Sequence, residues 1–267
     1  MSLSSTRVAA TDHPTRALVM LHGIYGRGRN WQGIARALVK ARPEYACWLV
    51  DMPHHGDSGP GAHADGVLGF AEDLRDWSVA QGVTPDAVLG HSYGGKVALA
   101  YAAAGHVRPL QVWVIDSTPE TKPPSGSAWG MLEIVRALPR RFATRDEAIA
   151  GIVAGGYALG VAQWMSTNLT RDAAGGFTWR LDFDVMDRLL HDFFTTDLWA
   201  IVEAGDAQLD LHFLKASESN AMSETAVARI TAAAGDHVHL HHRPGGHWIH
   251  AESPEIVTEL LVGSLPS

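Results

Sequence analysis

A serine with the spacing of a catalytic nucleophile lies in the first half of the chain. The residues Gly90-His91-Ser92-Tyr93-Gly94 match the pattern G-x-S-x-G, between a predicted strand and a predicted helix. On such a sharp turn the serine side chain projects out of the sheet, and the two glycines let the backbones approach closely. The following backbone N–H groups lie at a helix N-terminus, where they can stabilise an oxyanion. This segment therefore predicts that Ser92 is a nucleophile rather than part of an ordinary turn.

A serine hydroxyl needs a base, and one histidine lies in a suitable loop. His247, in the run Pro244-Gly245-Gly246-His247-Trp248, follows the last predicted strand and precedes a helix. Catalytic groups in open α/β sheets gather at the carboxyl ends of the strands, where this loop lies. We therefore predict that His247 accepts the Ser92 proton; the alternative is a loop histidine that caps or packs.

The elements that would hold these residues alternate along most of the chain. Continuous apolar runs predict strands, and apolar residues at helical spacing predict helices. This alternation indicates an α/β fold with a mostly parallel sheet and helices on both faces. We predict strands at residues 17–21, 47–50, 87–89, 112–115, 209–214 and 238–240, and helices at 30–41, 70–79, 97–104 (ended by Gly105), 224–234 and 254–261.

One stretch, residues 119–205, interrupts this alternation and carries no clear strand. We predict that it is a mostly helical cap inserted into an α/β core formed by residues 1–118 and 206–267. The stretch is rich in tryptophan and phenylalanine, more than a small helical cap needs for its own core. Some of these side chains are therefore expected to line an acyl pocket, with Trp129, Trp164 and Phe194 as candidates.

Composition excludes several classes of protein. The 267 residues carry 21 basic and 29 acidic side chains, a net charge of −8, so a nucleic acid is a poor partner. The single cysteine, Cys47, rules out an intrachain disulfide and fits a reducing compartment. No apolar run reaches the roughly 18–20 residues of a membrane helix, and the N-terminus lacks a signal-peptide pattern. We expect a cytoplasmic protein without a membrane span.

A run of histidines near the C-terminus needs a separate account. His237, His239, His241 and His242 are similar in spacing to the H-x-H-x-D-H pattern of dinuclear zinc hydrolases, but the aspartate is missing. Alternate residues of a strand share a face, so His237, His239 and His241 are expected to line one solvated side near a sheet edge. We predict no metal site and no cofactor.

Five segments together resemble the α/β-hydrolase superfamily. Three of them are most similar to the esterase/thioesterase branch of bacterial YbfF and the mammalian abhydrolase-domain-11 proteins. These are the nucleophile elbow, which ends in Gly94-Gly95-Lys96, and the segments at residues 115–119 and 246–252. The resemblance covers about residues 17–120 and 207–262 and leaves the cap unmatched. The segments are residues 22–26 with Asn30-Trp31 (the oxyanion loop), 51–58 (D-x-x-x-H-G-x-S), 90–96 (the nucleophile elbow), 115–119 (I-D-x-x-P) and 246–252 (G-H-W-x-H-A-E).

The resemblance implies a Ser–acid–His triad and an oxyanion hole formed by the backbone N–H groups of Ile24 and Tyr93. Most family members carry the acid after the strand that follows the cap, but residues 214–220 contain no aspartate. The YbfF-like branch places its acid at the position of Asp116. Glu218 lies in the commoner place and is the alternative acid.

These residues together predict a serine carboxylesterase or thioesterase (EC 3.1). It would cleave small apolar acyl substrates through an acyl-enzyme, with a small-molecule ester or thioester as its partner. His22, beside the oxyanion loop, is a further candidate substrate-binding residue, although packing and hydrogen bonding are its commoner roles. We expect a monomer or a homodimer.

Two other functions remain open at this point. One is a lyase resembling the menaquinone-pathway synthase, or a C–C bond hydrolase, on the same fold; Lys96 stands where that synthase has an arginine, which disfavours this option. The other is a non-catalytic ligand-binding homologue, which an intact Ser–acid–His set disfavours. Dehalogenases and epoxide hydrolases of this fold use an aspartate nucleophile, so Ser92 excludes them.

Overall fold

The strands of the protein follow the apolar runs of its sequence. A computed structural model describes residues 3–103 and 110–266. Each of the six predicted strands is present, lengthened by one to three residues. The strands are β1 (Ser5–Ala9), β2 (Arg16–Leu21), β3 (Tyr45–Val50), β4 (Ala87–His91), β5 (Leu110–Ile115), β6 (Arg141–Phe142), β7 (Leu169–Arg171), β8 (Phe177–Trp179), β9 (Leu209–Ala216) and β10 (Val238–Arg243).

Seven of these strands form the main sheet, in the order β1-β3-β2-β4-β5-β9-β10. β1 pairs with β3 in the antiparallel sense, and the remaining neighbours are parallel. The mostly parallel sheet expected from the sequence is confirmed. Because β4 lies in the middle of the sheet, the turn that carries Ser92 stands at the centre of the carboxyl edge.

Helices cover both faces of this sheet. One apolar cluster packs α1, α10 and α11 against one face, and a larger one packs α2, α3 and α9 against the other. A 3₁₀ turn, Gly28–Trp31, precedes α1. α3 ends at Ala102, and the predicted extension to Ala104 and Gly105 lies outside the described residues. The helices outside the stretch 119–205 are α1 (Gln32–Ala41), α2 (Val67–Gln81), α3 (Tyr93–Ala102), α9 (Glu224–Ala233), α10 (Ile249–Glu252) and α11 (Pro254–Ser264).

Residues 119–205 lie between β5 and β9 in the chain, yet these two strands are neighbours in the sheet, with Ile115 opposite Leu214. The expectation of no strand here is wrong, because β6, β8 and β7 form a small antiparallel sheet. Strands of two or three residues are too short to show an alternating pattern. The helices of this stretch are α4 (Ser127–Ala137), α5 (Arg145–Ala154), α6 (Leu159–Ser166), α7 (Phe183–Thr195) and α8 (Trp199–Glu203).

The sequence pattern also misses β1. Its residues, Ser-Thr-Arg-Val-Ala, are half-buried or exposed, since the strand lies at the edge of the sheet and pairs only with β3. An edge strand of this kind has no continuous apolar run to mark it. Within the described residues, no helix combines the length and the apolar character needed to cross a membrane.

Candidate active site

The turn between β4 and α3 holds Ser92 in a backbone conformation that non-glycine residues rarely adopt. Its φ is 52° and its ψ is −118°. A Cβ atom on Gly90 would lie 2.0 Å from the carbonyl oxygen of Gly94, and one on Gly94 would lie 2.4 Å from the carbonyl oxygen of His22. Only glycine leaves room for these approaches. The packing therefore fixes the orientation of Ser92 at the end of the strand.

Three side chains from three separate loops meet at this turn. The Ser92 hydroxyl lies 3.1 Å from Nε2 of His247, and Nδ1 of His247 lies 2.7 Å from Oδ2 of Asp116. An Nδ1–H that donates to the carboxylate leaves a lone pair on Nε2, directed at the serine hydroxyl. The His247 side chain is 12% exposed and that of Asp116 is fully buried, so the pair is shielded from water.

Asp116 is held by the last residue of β9 and by the loop that follows this strand. It comes directly after β5 and has a φ of 44°. Its Oδ1 accepts the backbone N–H of Ala216 at 3.1 Å, and its Oδ2 accepts the hydroxyl of Ser219 at 2.5 Å as well as the imidazole of His247. These donors leave the carboxylate one orientation, which is the one that faces the imidazole.

The alternative acid, Glu218, lies elsewhere in the same loop. Its side chain is exposed, and its backbone N–H donates to the carbonyl oxygen of Gly245 at 3.0 Å. Of the two acids considered from the sequence, the structure brings Asp116 to His247. The neighbour of Glu218, Ser219, is the residue of this loop that reaches the site, through its bond to Asp116.

Two buried histidines support the loop that carries His247. Nε2–H of His91 donates to the carbonyl oxygen of His247 at 2.7 Å, and the ring of His91 packs at a tilt against that of His250, with the ring centroids 4.1 Å apart. Burial, followed by neighbouring histidines, lowers the pKa of His91 well below its usual value and that of His250 to about 3. Both rings are neutral at neutral pH, so they add no positive charge next to His247.

Ile24 and Tyr93 both lie beside the serine turn. Tyr93 is the first residue of α3, so its N–H has no intrahelical acceptor. Ile24 lies in the loop after β2, where Nε2 of His55 contacts its carbonyl oxygen. The near contact between Gly94 and the His22 carbonyl oxygen shows that this loop runs against the start of α3.

His22 is a candidate substrate-binding residue, but both nitrogens of its ring are hydrogen-bonded to backbone groups. Nδ1–H donates to the carbonyl oxygen of Gly23 at 2.8 Å, and Nε2 accepts the N–H of Met52 at 3.1 Å. The ring is 1% exposed, and burial and then the neighbouring His55 lower its pKa well below the usual value. Both ring nitrogens have backbone partners, so the geometry gives His22 a supporting role.

A cavity of about 40 Å³ opens beside Ser92 and His247. It has room for about three water-sized groups. Its apolar wall is formed by Leu190, Phe193 and Phe194 of α7, and residues 125–128 also line it. Asp116 and Lys122 also border the cavity.

Of the three aromatic residues predicted to line a pocket, the structure brings only Phe194 to this cavity. Trp129 packs edge-on against Phe194, with ring centroids 6.2 Å apart, and its Nε1–H donates to Glu133 at 3.2 Å. Trp164 packs instead near Trp248, the residue after His247, at 6.2 Å. Helical spacing shows that such residues are buried, but it does not tell which neighbour they face.

Three residues that line the cavity were not predicted from the sequence: Leu190, Phe193 and Lys122. The first two lie with Phe194 on the buried face of α7, a periodic signal that the sequence does contain. Lys122 has no such signal; its Nζ donates to the carbonyl oxygens of Asn220 and Ala221 at 3.2 and 2.8 Å.

Lys96 of the serine helix α3 is completely buried and does not line the cavity. Its Nζ donates to the carbonyl oxygens of Glu120 and Phe193 at 2.8 and 2.6 Å. Burial lowers its pKa to about 8, although Asp197 and Asp192 act in the opposite direction. The residue therefore connects α3 to the end of α7.

One relative resembles the chain over most of its length, and another resembles a smaller part of it. It is 26% identical over 252 residues to the sn-1-specific diacylglycerol lipase ABHD11 of Mus musculus, covering 91% of this chain and 79% of that protein. It is also 31% identical over 105 residues to the 2-succinyl-6-hydroxy-2,4-cyclohexadiene-1-carboxylate synthase of Yersinia pestis (strain Pestoides F), but this covers 39% of this chain and 37% of the synthase.

A solved structure and a family model cover nearly the whole fold. A marine microorganism esterase superposes with a TM-score of 0.81 at 23% identity and covers 98% of both chains, which shows the shared fold. The sequence model described as the alpha/beta hydrolase family matches residues 18–260. Together with the sheet order and the likeness to the ABHD11 lipase, this match confirms the family predicted from the motifs: the chain belongs to the α/β-hydrolase family, in a branch similar to ABHD11.

Proposed function

We propose that the protein hydrolyses carboxylic esters or thioesters with small apolar acyl groups, through an acyl-enzyme formed on Ser92. The observation that carries this proposal is the alignment of three groups, with Ser92 Oγ 3.1 Å from His247 Nε2 and His247 Nδ1 2.7 Å from Asp116. This is the arrangement that activates a serine hydroxyl, which is a weak nucleophile by itself.

In the first half of the reaction, Ser92 Oγ attacks the acyl carbon while His247 Nε2 takes its proton. Asp116 holds the imidazole in the required tautomer and stabilises the imidazolium that forms. We assign the oxyanion hole to the backbone N–H groups of Ile24 and Tyr93, which border the serine turn. The tetrahedral intermediate collapses when His247 gives its proton to the leaving alkoxide or thiolate.

In the second half, water replaces the leaving group. His247 takes a proton from the water as it attacks the acyl-Ser92 ester, and then returns a proton to Ser92 Oγ. The acid product leaves and the enzyme is restored. Every proton in this cycle moves through one imidazole, so these residues suffice for the chemistry.

The cavity supports a small acyl group as the substrate. Its volume is about 40 Å³, and Leu190, Phe193 and Phe194 form an apolar wall next to the nucleophile. A short acyl chain fits in the space between this wall and Ser92. The relative named as a diacylglycerol lipase also acts on esters, and this supports ester hydrolysis here.

We also assign the stretch 119–205 as a cap over the core formed by residues 1–118 and 206–267. β5 and β9 are direct neighbours in the sheet, so the stretch between them is an insertion that leaves the sheet order unchanged. Its helix α7 supplies the apolar cavity wall. Substrate size is therefore set by the cap, and bond cleavage by the core.

The proposal is tested with p-nitrophenyl esters of increasing acyl length, from acetate to octanoate. Ser92→Ala should lower kcat by about 10⁶-fold and leave the fold intact. Ser117→Ala is the matched control, because that buried serine hydroxyl has no hydrogen-bond partner among the described residues. Turnover retained by clean Ser92→Ala protein contradicts the mechanism.

A lyase like the Yersinia synthase is the second candidate, favoured only by the partial likeness over 105 residues. Lys96 lies at the position compared with the synthase's arginine. Its Nζ donates hydrogen bonds to two backbone carbonyl oxygens and so is not free to bind a substrate, which weighs against this function. A fluorophosphonate probe that labels wild type but not Ser92→Ala, without turnover of any ester or thioester, would favour the lyase or a binding protein.

A further inference from the structure

A second cluster of chemically capable side chains lies on one face of the sheet. Asp210 and His212 are alternate residues of β9 and project to the same side, and His239 of β10 stands directly opposite His212 in the strand register. This is the face that α11 covers, and the cluster lies in the amino-terminal half of both strands. Ser92 and His247 lie beyond the carboxyl ends of their strands, so the cluster is a separate site.

The Asp210 carboxylate stands between two imidazoles. Its Oδ2 lies 3.1 Å from Nε2 of His212, and its Oδ1 lies 3.0 Å from Nε2 of His239. The three potential ligand atoms all lie within 4.8 Å of one another. Tetrahedral ligands at 2.0–2.2 Å from a zinc ion are about 3.3 Å apart, so the ligand atoms must approach one another by up to about 1.5 Å to surround a cation.

One oxygen of this carboxylate lacks a donor. Asp210 Oδ1 is inaccessible to solvent and has no hydrogen-bond partner among the described residues, although Nε2 of His239 lies close by. A buried carboxylate oxygen without a donor is destabilising. The side chains themselves are 37% exposed for Asp210 and 35% exposed for His239, so an ion can reach the cluster from solvent.

Neighbouring residues hold the cluster in the way that metal ligands are usually held. Nδ1 of His212 lies 3.0 Å from Nε2 of His241. When Nδ1–H of His212 donates to this nitrogen, the lone pair on Nε2 of His212 is available to a metal. Gln111 donates to Asp210 Oδ2 at 2.8 Å, and its own carbonyl oxygen accepts the indole N–H of Trp113 at 2.7 Å. The Trp113 ring stacks at 4.2 Å on the ring of His212.

We propose that Asp210, His212 and His239 bind one divalent transition-metal ion, with Zn²⁺ as the best match, and with water in the remaining position. Two imidazoles and one carboxylate are typical zinc ligands. Each imidazole would bind the ion through the lone pair of Nε2 and keep its proton on Nδ1, which in His212 faces Nε2 of His241. The histidine run of β10 contains no acidic residue, and Asp210 of the neighbouring strand β9 supplies the carboxylate.

The proposal is tested by calorimetric titration of Zn²⁺ into chelator-treated protein that carries no histidine tag, with the visible spectrum of Co²⁺ as a second probe. Wild type should bind one ion. His239→Asn should weaken binding at least about tenfold, and Zn²⁺ should raise the Tm of wild type but not of this variant. The matched control is His242→Asn, an exposed neighbour one residue beyond His241, which should bind like wild type.

Three results would overturn the proposal. The first is no saturable binding of Zn²⁺ to wild type, which would leave the cluster as a hydrogen-bond network only. The second is equal affinity in wild type and His239→Asn, and the third is loss of binding in His247→Ala, which would move the ion to the serine site. Asp210→Asn is the second variant if His239→Asn does not fold, since it removes the charge and keeps the shape.

Discussion

At the scale of single residues, the proposed reaction depends on how firmly one imidazole is held. His247 is bound at Nδ1 by Asp116, at its carbonyl oxygen by His91, and faces Ser92 with Nε2. Asp116 is in turn oriented by Ser219. An exposed loop histidine would sample many orientations, and these contacts remove that freedom before any substrate arrives.

Replacing the acid tests this arrangement directly. Asp116→Asn should lower kcat by roughly 10³- to 10⁴-fold, because an amide no longer holds the Nδ1–H tautomer of His247. Glu218→Gln should retain activity, since that side chain is exposed. The measurement is kcat on a short p-nitrophenyl ester, with thermal unfolding to check the fold. A dead Glu218→Gln beside an active Asp116→Asn would reverse the assignment.

At the scale of elements, α7 forms a wall of the cavity beside Ser92 and is also hydrogen-bonded to α3, the helix that begins directly after Ser92. Its residues Leu190, Phe193 and Phe194 line the cavity, and the carbonyl oxygen of Phe193 accepts a hydrogen bond from Lys96 of α3. The Lys96 ammonium also lies 4.6 Å from the centre of the Phe193 ring. The position of the cavity wall is therefore fixed relative to the turn that carries Ser92.

Shortening this wall should change the preferred substrate. Phe194→Ala removes a ring from the cavity lining, so the optimum of kcat/KM should move from short acyl chains to hexanoate or octanoate. The measurement is the acyl-length series used above. The matched control is Phe183→Ala, which removes the same ring from the buried face of the same helix away from the cavity. A shift of the optimum in both variants, or in neither, contradicts the role of Phe194.

At the scale of the whole molecule, buried neutral histidines make stability depend on pH. His22, His91 and His250 have pKa values lowered mainly by burial, to about 3 for His250. In the unfolded chain they titrate near pH 6.5, so below that pH the unfolded state binds more protons than the folded state. Stability is therefore complete above about pH 6.5 and falls as the pH decreases from there.

Urea unfolding at pH 7.5, 6 and 5 measures this effect. Each such histidine should contribute a loss of up to about 1.4 kcal/mol per pH unit below its unfolded pKa. His250→Gln should flatten the dependence, whereas the exposed His242→Gln should leave it unchanged. A free energy of unfolding that stays constant or rises between pH 7.5 and 5 is incompatible with these histidines being neutral in the folded protein.

Much of the fold could be predicted because a strand that is buried on both faces of a sheet consists mostly of apolar residues. The runs that became β2, β3, β4 and β5 are continuous and apolar, whereas those of β9 and β10 alternate apolar residues with aspartate or histidine. All six were predicted with only small errors at the ends. β1 and the three strands of the small sheet were missed. They are short or half-exposed, so no periodic pattern distinguishes them from loops.

The candidate site divides in the same way. Ser92 and His247 could be named because local motifs mark them, and the structure brings them together. Leu190, Phe193 and Lys122 could not be placed at the cavity, since their position depends on how α7 and the loops meet the sheet. The pairing of Asp210 with His239 was also hidden, because it depends on the register between β9 and β10.

The large separation in sequence between Ser92 and His247 has a consequence during protein synthesis. Ser92 and His247 are 155 residues apart, and the loop that orients Asp116 lies about 100 residues beyond it. At about 5–20 residues per second, a ribosome needs roughly 8 to 30 s to proceed from the serine to the histidine. During that interval the growing chain carries Ser92 without the imidazole that is proposed to activate it. If these residues act as proposed, an unfinished polypeptide has no esterase activity until the loop after β10 has reached the serine turn.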